Sequence, residues 1–187
     1  MVKYRKTSND RIWKLGQQKT RRCSQNIARE IEKEKKGINA NFLTQSLKCL
    51  PNFVGCFAEN QLSSLVITQN PTFLIVNIDS FEMKGSHWLA IGVFKTAIEI
   101  FDPLGFTIFN WSRVPCSLLD FLHRMSVTRR VQVSPRVQPS NSHLCGFYCI
   151  FYLILRSFVS MRMLNSFFFL LNSKLYRNDS ILYKFFK

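Results

Sequence analysis

The sequence predicts an α+β fold: a mostly antiparallel central sheet backed by helices, with a cysteine at the N-terminus of a buried helix. Three observations carry this. "TFLIVNI" (72–78), "HWLAIGVF" (87–94) and "AIEIF" (97–101) are β-rich runs in close succession. The last two are joined only through Lys95 and Thr96, a connection suited to antiparallel neighbours. "LCGFYCIFYLILRSF" (144–158) is apolar nearly all round, so as a helix it must be central and covered on every side.

In chain order, residues 1–37 read as a basic extension, helical over "NIAREIEKEKK" and ended by Gly37. A core domain is expected over 38–160. It starts with an amphipathic helix in "LTQSLKCL" (43–50), stopped by Pro51. The run 72–78 is continuously apolar up to Asn77, as befits a strand covered on both faces. "CSLLDFLHRM" (116–125) spaces Leu118, Leu119, Phe121 and Leu122 as a helix does, and "RRVQVS" (129–134) alternates as a strand does. The last stretch, 161–187, is rich in Phe, Leu and Lys without firm turn signals, and reads as a poorly defined C-terminal segment.

Bulk properties narrow the function classes. With 187 residues, 47% of them hydrophobic and 18 Phe, the chain can bury a core and is not a disordered tether. The net charge of +15 leaves two readings open: a basic tail that charge keeps soluble, which the charge alone favours, or an anionic partner, nucleic acid first among them. Residues 1–36 hold 12 basic and 4 acidic side chains, so 12 − 4 = +8 of that charge lies there. Arg129, Arg130 and Arg136 supply further positive charge near a candidate site and are the expected nucleic-acid contacts. Six cysteines without a CxxC pair argue against both a disulfide scaffold and zinc, so no metal or other cofactor is expected and the thiols should be reduced. The N-terminus lacks the apolar stretch of a secretion signal, and Arg156 and Arg162 interrupt the greasiest run, 144–171. A non-secreted monomer with no membrane span is the expectation.

The chemistry gathers at element ends. "QPSNSHLCGFYC" (138–149) sets Cys145 where a polar loop becomes an apolar helix, and a helix N-terminus favours a thiolate. Gly146 beside it would let a substrate backbone approach. His87 opens a strand after "MKGS", and Asp102 closes the neighbouring one before "PLGF", so one could orient the other. Gln138, seven residues before Cys145, is placed to offer an amide to an oxyanion. Trp88 can wall the site, although a core aromatic on a strand is an equal reading.

Together, "SHWLAIGVF…IEIFDPLGF…QPSNSHLCGFYC" resembles the adenovirus maturation protease family and its relatives in large self-synthesising DNA transposons. The shared pattern is His87-Trp88, then Asp102-Pro103-Leu104-Gly105-Phe106, Gln138, and Cys145-Gly146 with Cys149. "LKCLPNFVGCF" (47–57) is similar to the family's N-terminal helix and following loop. The resemblance implies a papain-like fold in rearranged chain order, a thiol endopeptidase, and a protein or peptide substrate cut at glycine-containing sites. It assigns Cys145 as nucleophile, His87 as general base and acid, Asp102 as its orienter, and Gln138 as oxyanion donor. It also implies DNA as an activator and residence in a nucleus or virion-like particle, or otherwise the cytoplasm.

Two departures stand out. Adenoviral enzymes usually carry Glu where Asp102 stands. No cysteine lies between 117 and 144, so a covalently linked peptide activator is not expected. Two alternatives stay open at this point: a cellular deconjugating protease for ubiquitin-like proteins, and an inactive nucleic-acid-binding remnant. His143 and His123 read as solvated residues, and Cys149 as packing beneath Cys145.

Overall fold

Alternate residues of the run Phe73–Val76 enter different cores, which is why it is apolar without a break. Phe73 and Ile75 join one buried cluster, Leu74 and Val76 another. The computed structural model describes residues 38–105, 114–172 and 175–187, together with Lys14, Gln17, Gln18 and Ile27.

The described chain runs α1 (Ala40–Leu47), β1 (Phe53–Ala58), β2 (Thr72–Asn77), β3 (Trp88–Val93), β4 (Ala97–Phe101), α2 (Cys116–Ser126), β5 (Arg130–Val133), α3 (Cys145–Arg156), α4 (Met161–Asn172) and α5 (Asn178–Phe186). Short 3₁₀ turns occupy Glu59–Ser64 and Leu175–Arg177. The strands form one sheet in the order β1-β2-β3-β4-β5. The α+β class holds, but the sheet is mixed rather than mostly antiparallel. β2/β3 and β3/β4 pair antiparallel, whereas β1/β2 and β4/β5 pair parallel. Both parallel pairings follow from long connections: Glu59 to Pro71 between β1 and β2, and α2 between β4 and β5.

One strand was missed. The stretch after α1, expected from the resemblance as a loop, is the strand Phe53–Ala58, which pairs along β2 with an irregularity between Phe53 and Gly55. Gly55 has φ +134, a conformation that side chains with a Cβ rarely adopt.

One sheet face packs under α1, α3, α4 and α5 through Phe73, Ile75, Ala90 and Phe101. The other meets α2 through Leu89, Ile91, Val93, Ile98 and Ile100 against Leu118, Phe121 and Leu122. In α3, every residue from Cys145 to Leu155 is buried, as the all-round apolar pattern requires. Arg156 ends the helix and explains the glutamate inside "AIEIF". Its guanidinium grips Glu99 in two bonds of 2.6 and 2.9 Å, and Tyr152 donates to the same carboxylate at 3.0 Å. It also lies 3.9 Å over the Phe94 ring. Glu99 is nearly inaccessible, so removing Arg156 would strand a buried charge.

The C-terminal segment, expected to be poorly defined, is helical and part of the core. Phe167, Phe168, Phe185 and Phe186 are buried, and Phe185 meets Phe151 edge-to-face at 4.6 Å. Its turn is held by a side chain, which leaves no Gly or Pro signal. Asn178 Nδ2 donates to the Leu171 carbonyl near the end of α4. The helix expected over 26–36 lies outside the described residues except for Ile27, which is helical and fully buried in the first core. Cys49 is disulfide-bonded, against the expectation of reduced thiols throughout, whereas Cys56, Cys116, Cys145 and Cys149 are free.

Candidate active site

Topology brings the site residues to one end of the sheet. β3 and β4 are antiparallel with Ala90 opposite Phe101, so the start of β3 and the end of β4 coincide. β5 runs parallel to β4, so its exit, which leads to Gln138 and Cys145, leaves at the same end. The result is a cleft of about 690 Å³ lined by His87, Trp88, Gln138, Cys145 and the 79–86 loop.

His87 Nε2 lies 2.7 Å from Asp102 Oδ1, and both residues are buried. With Nε2 taken by Asp102, Nδ1 is the ring nitrogen that remains for Cys145, whose side chain is near enough to help raise the His87 pKa. Burial alone would push the His87 pKa down. The hydrogen bonds to Asp102 and Cys145, with the charge of both partners, outweigh it and raise the value to about 9. The imidazole is therefore set to be a cation at neutral pH, which is the partner a thiolate needs. Asp102 Oδ1 also accepts the Leu104 N–H at 2.9 Å, so the carboxylate is fixed from its own turn.

That turn also carries the loop that bears Gln138. The Pro103 carbonyl accepts from the N–H groups of Val137 and Gln138, each at 2.9 Å. Gly105, at φ +70, lets the turn lie against Arg136, whose backbone nitrogen would sit 2.7 Å from an added Cβ. Arg136 in turn donates Nε to the Gln138 carbonyl at 3.0 Å. Gly105→Ala should therefore destabilise the protein by about 1–2 kcal/mol for the left-handed backbone alone. The clash should add to that and shift Gln138, so thermal unfolding and turnover should fall together; an unchanged melting temperature would show the turn to be less tightly packed.

Gln138 is buried at the cleft and donates Nε2 to the Ser142 carbonyl at 2.7 Å. A primary amide has two N–H groups, so one is bound here and the other is available to an oxyanion.

The comparisons with known proteins can be set against this geometry. The family model described as adenovirus endoprotease matches residues 53–175, about two thirds of the chain. The chain belongs to the adenovirus endoprotease family. A curated relative, the "Protease" of Bovine adenovirus 2, is 28% identical over 119 residues, covering 59% of this chain. The chain spans 58% of that relative's length. Among solved structures, the ASFV pS273R protease is similar with a TM-score of 0.47 and 20% identity, over 80% of this chain and 66% of that one. Its selenomethionine form gives 0.44 and 19% over the same shares.

Other residues of this adenovirus endoprotease family member fall where expected, or do not. Trp88 does line the cleft, and its Nε1 donates to the Ile38 carbonyl at 3.0 Å, fixing the entry to α1. Gly146 is a correction. An added Cβ there would lie 2.7 Å from Ile38 Cγ1 and 3.3 Å from Leu43 Cδ2, so the glycine admits α1 to the core rather than substrate to the cleft. Cys149 is fully buried and donates Sγ to the Trp88 carbonyl at 3.3 Å, and burial pushes its thiol well up. His123 is exposed on α2; His143 is exposed too and lines the cleft.

None of the three arginines lines the cleft. Arg129 donates to the carbonyls of Phe94 and Met125, and Arg136 to that of Gln138, whereas Arg130 is exposed on β5. Sequence reasoning passed over Phe81 and Met83, both strongly exposed on the loop that lines the cleft. It also passed over Asn178 and Asp179, which no local pattern marks. Among the described residues no cluster of His, Cys, Asp or Glu could hold a metal ion, and no helix is long and apolar enough to cross a membrane.

Proposed function

We propose that this protein is a cysteine endopeptidase that cleaves protein precursors of a viral or virus-like particle, with DNA as an activator. The contact of His87 with Asp102 beside Cys145 carries the reading, because it supplies a nucleophile, a proton carrier and an orienter within one cleft. The Cys145 sulfur attacks the scissile carbonyl carbon, and the negative oxygen that forms meets Gln138 Nε2 and the backbone N–H of Cys145. The C–N bond then breaks, and His87 gives its proton to the leaving amine. Water adds to the thioester, His87 takes a proton from it, and the C–S bond breaks to return the thiolate. Family membership supports the precursor substrate. The charge of +15 supports DNA, whose phosphates would meet Lys and Arg.

A peptide vinyl sulfone incubated with the full chain should modify Cys145 alone among the free cysteines, as read by peptide mapping, and should block cleavage of a peptide library. Labelling elsewhere, or none, would remove the endopeptidase reading. Duplex DNA should bind with an affinity that falls steeply as salt rises and should raise the cleavage rate. Binding without any salt dependence would remove DNA from the proposal.

A further inference from the structure

The amide of Gln138 has an anchor, and that anchor leads to α5. Gln138 Nε2 is held by the Ser142 carbonyl, while its Oε1 is buried with no hydrogen-bond partner among the described residues. Turning the amide over would set two acceptors against each other, so Ser142 fixes both its place and its sense. Ser142 is fixed in turn. Its Oγ donates to Asp179 Oδ1 at 3.0 Å and accepts the Leu144 N–H at 3.3 Å. A carboxylate only accepts, which dictates where the hydroxyl hydrogen points and leaves the lone pairs for Leu144, the residue before Cys145.

The same Asp179 oxygen accepts from Tyr148 OH at 2.8 Å, in the first turn of α3 after Cys145. Burial, then the Asp179 charge and hydrogen bond, push the Tyr148 hydroxyl far up, so it stays protonated and stays a donor. Asn178, fully buried beside Asp179, donates to the Val137 carbonyl at 2.6 Å and so grips the residue before Gln138. Asn178 and Asp179 thus hold both flanks of the oxyanion loop and the helix that bears the nucleophile. Both lie beyond the residues 53–175 matched by the family model.

We infer that Asp179 is a positioning residue of the oxyanion site: through Ser142 it orients the Gln138 amide, and through Tyr148 it sets that amide against Cys145. The inference rests on the endopeptidase reading above. Deleting an oxyanion donor costs ~10²–10³ in rate in a measured protease, so loosening one should cost about tenfold or more and act on kcat. Asp179→Ala should lower kcat by that factor with KM little changed, measured where the variant is fully folded. Alkylation of Cys145 by iodoacetamide, which needs no oxyanion hole, should keep its rate.

The decisive measurement is a double-mutant cycle. In a Gln138→Ala background, Asp179→Ala should cost almost nothing further, because the group it positions is gone. Ser142→Ala, a smaller change at a half-buried residue, carries the same test should Asp179→Ala fail to fold. An unchanged kcat in the single variant, or a full additional loss in the double one, overturns the inference while leaving the endopeptidase reading intact. Wild-type protein that neither cleaves nor takes up the vinyl sulfone brings down both.

Discussion

Cys145→Ser should abolish turnover, whereas Cys149→Ser should keep most of it. A serine hydroxyl does not ionise near neutral pH as a thiol can, and without the hydrogen bond and charge of Cys145 that help to raise the His87 pKa the imidazolium–thiolate pair is lost. The substitution therefore removes the nucleophile while leaving its surroundings in place. In a measured serine protease, loss of the nucleophile costs on the order of 10⁶ in kcat, and a loss below detection is expected here. Cys149 is one turn further along α3, fully buried, and bonded to the Trp88 carbonyl. Serine there exchanges one weak donor for a stronger one, so the effect should appear in stability before it appears in rate. Parallel rate and melting measurements on the two variants separate the roles. Turnover by Cys145→Ser at a tenth of wild type would sink the assignment.

Where the sequence was legible, period and packing agreed. β4 falls on its expected residues, 97–101, and α2 and α3 fall within two residues of theirs. α2 buries one face that repeats at helical spacing, α3 is apolar and buried all round, and β4 is short and bounded by a turn at each end. The candidate triad was legible because element ends carry it, and an antiparallel pair brings such ends together whatever lies between. What failed was what depends on distant partners. β1 is a strand because β2 offers it a parallel ladder, although Gly55 breaks its pattern. The segment 161–187 has no Gly or Pro punctuation because Asn178 closes the end of α4 with its side chain. Gly146 next to a nucleophile reads as access to substrate, yet Ile38, more than a hundred residues earlier, fills that space. Asp179 shows its connection to the site only once Tyr148 and Ser142 are seen to share its oxygen.

His87→Ala should remove most of the remaining catalytic power, and the pH dependence should identify the group lost. General acid–base catalysis contributes ~10²–10⁴-fold, so kcat/KM should fall by about that factor. In the wild type the working pair needs His87 protonated and Cys145 ionised. Burial works against the His87 cation, but the bonds and charges of Asp102 and Cys145 prevail and raise its pKa to about 9. Activity should therefore persist above neutral pH and decline as pH passes through about 9, when the imidazolium loses its proton. The linked stability has the same sign. A raised folded-state pKa gives a contribution that is whole below 6.5 and is lost as pH rises through about 9. Asp102→Asn makes the test sharper. An amide oxygen can still accept from Nε2 and orient the ring, so the variant should be faster than His87→Ala. Its missing charge, however, removes a principal support of the imidazolium, so its alkaline limb should move to lower pH. An alkaline limb that stays near 9 in Asp102→Asn would mean that Asp102 holds the ring in place without sustaining its charge.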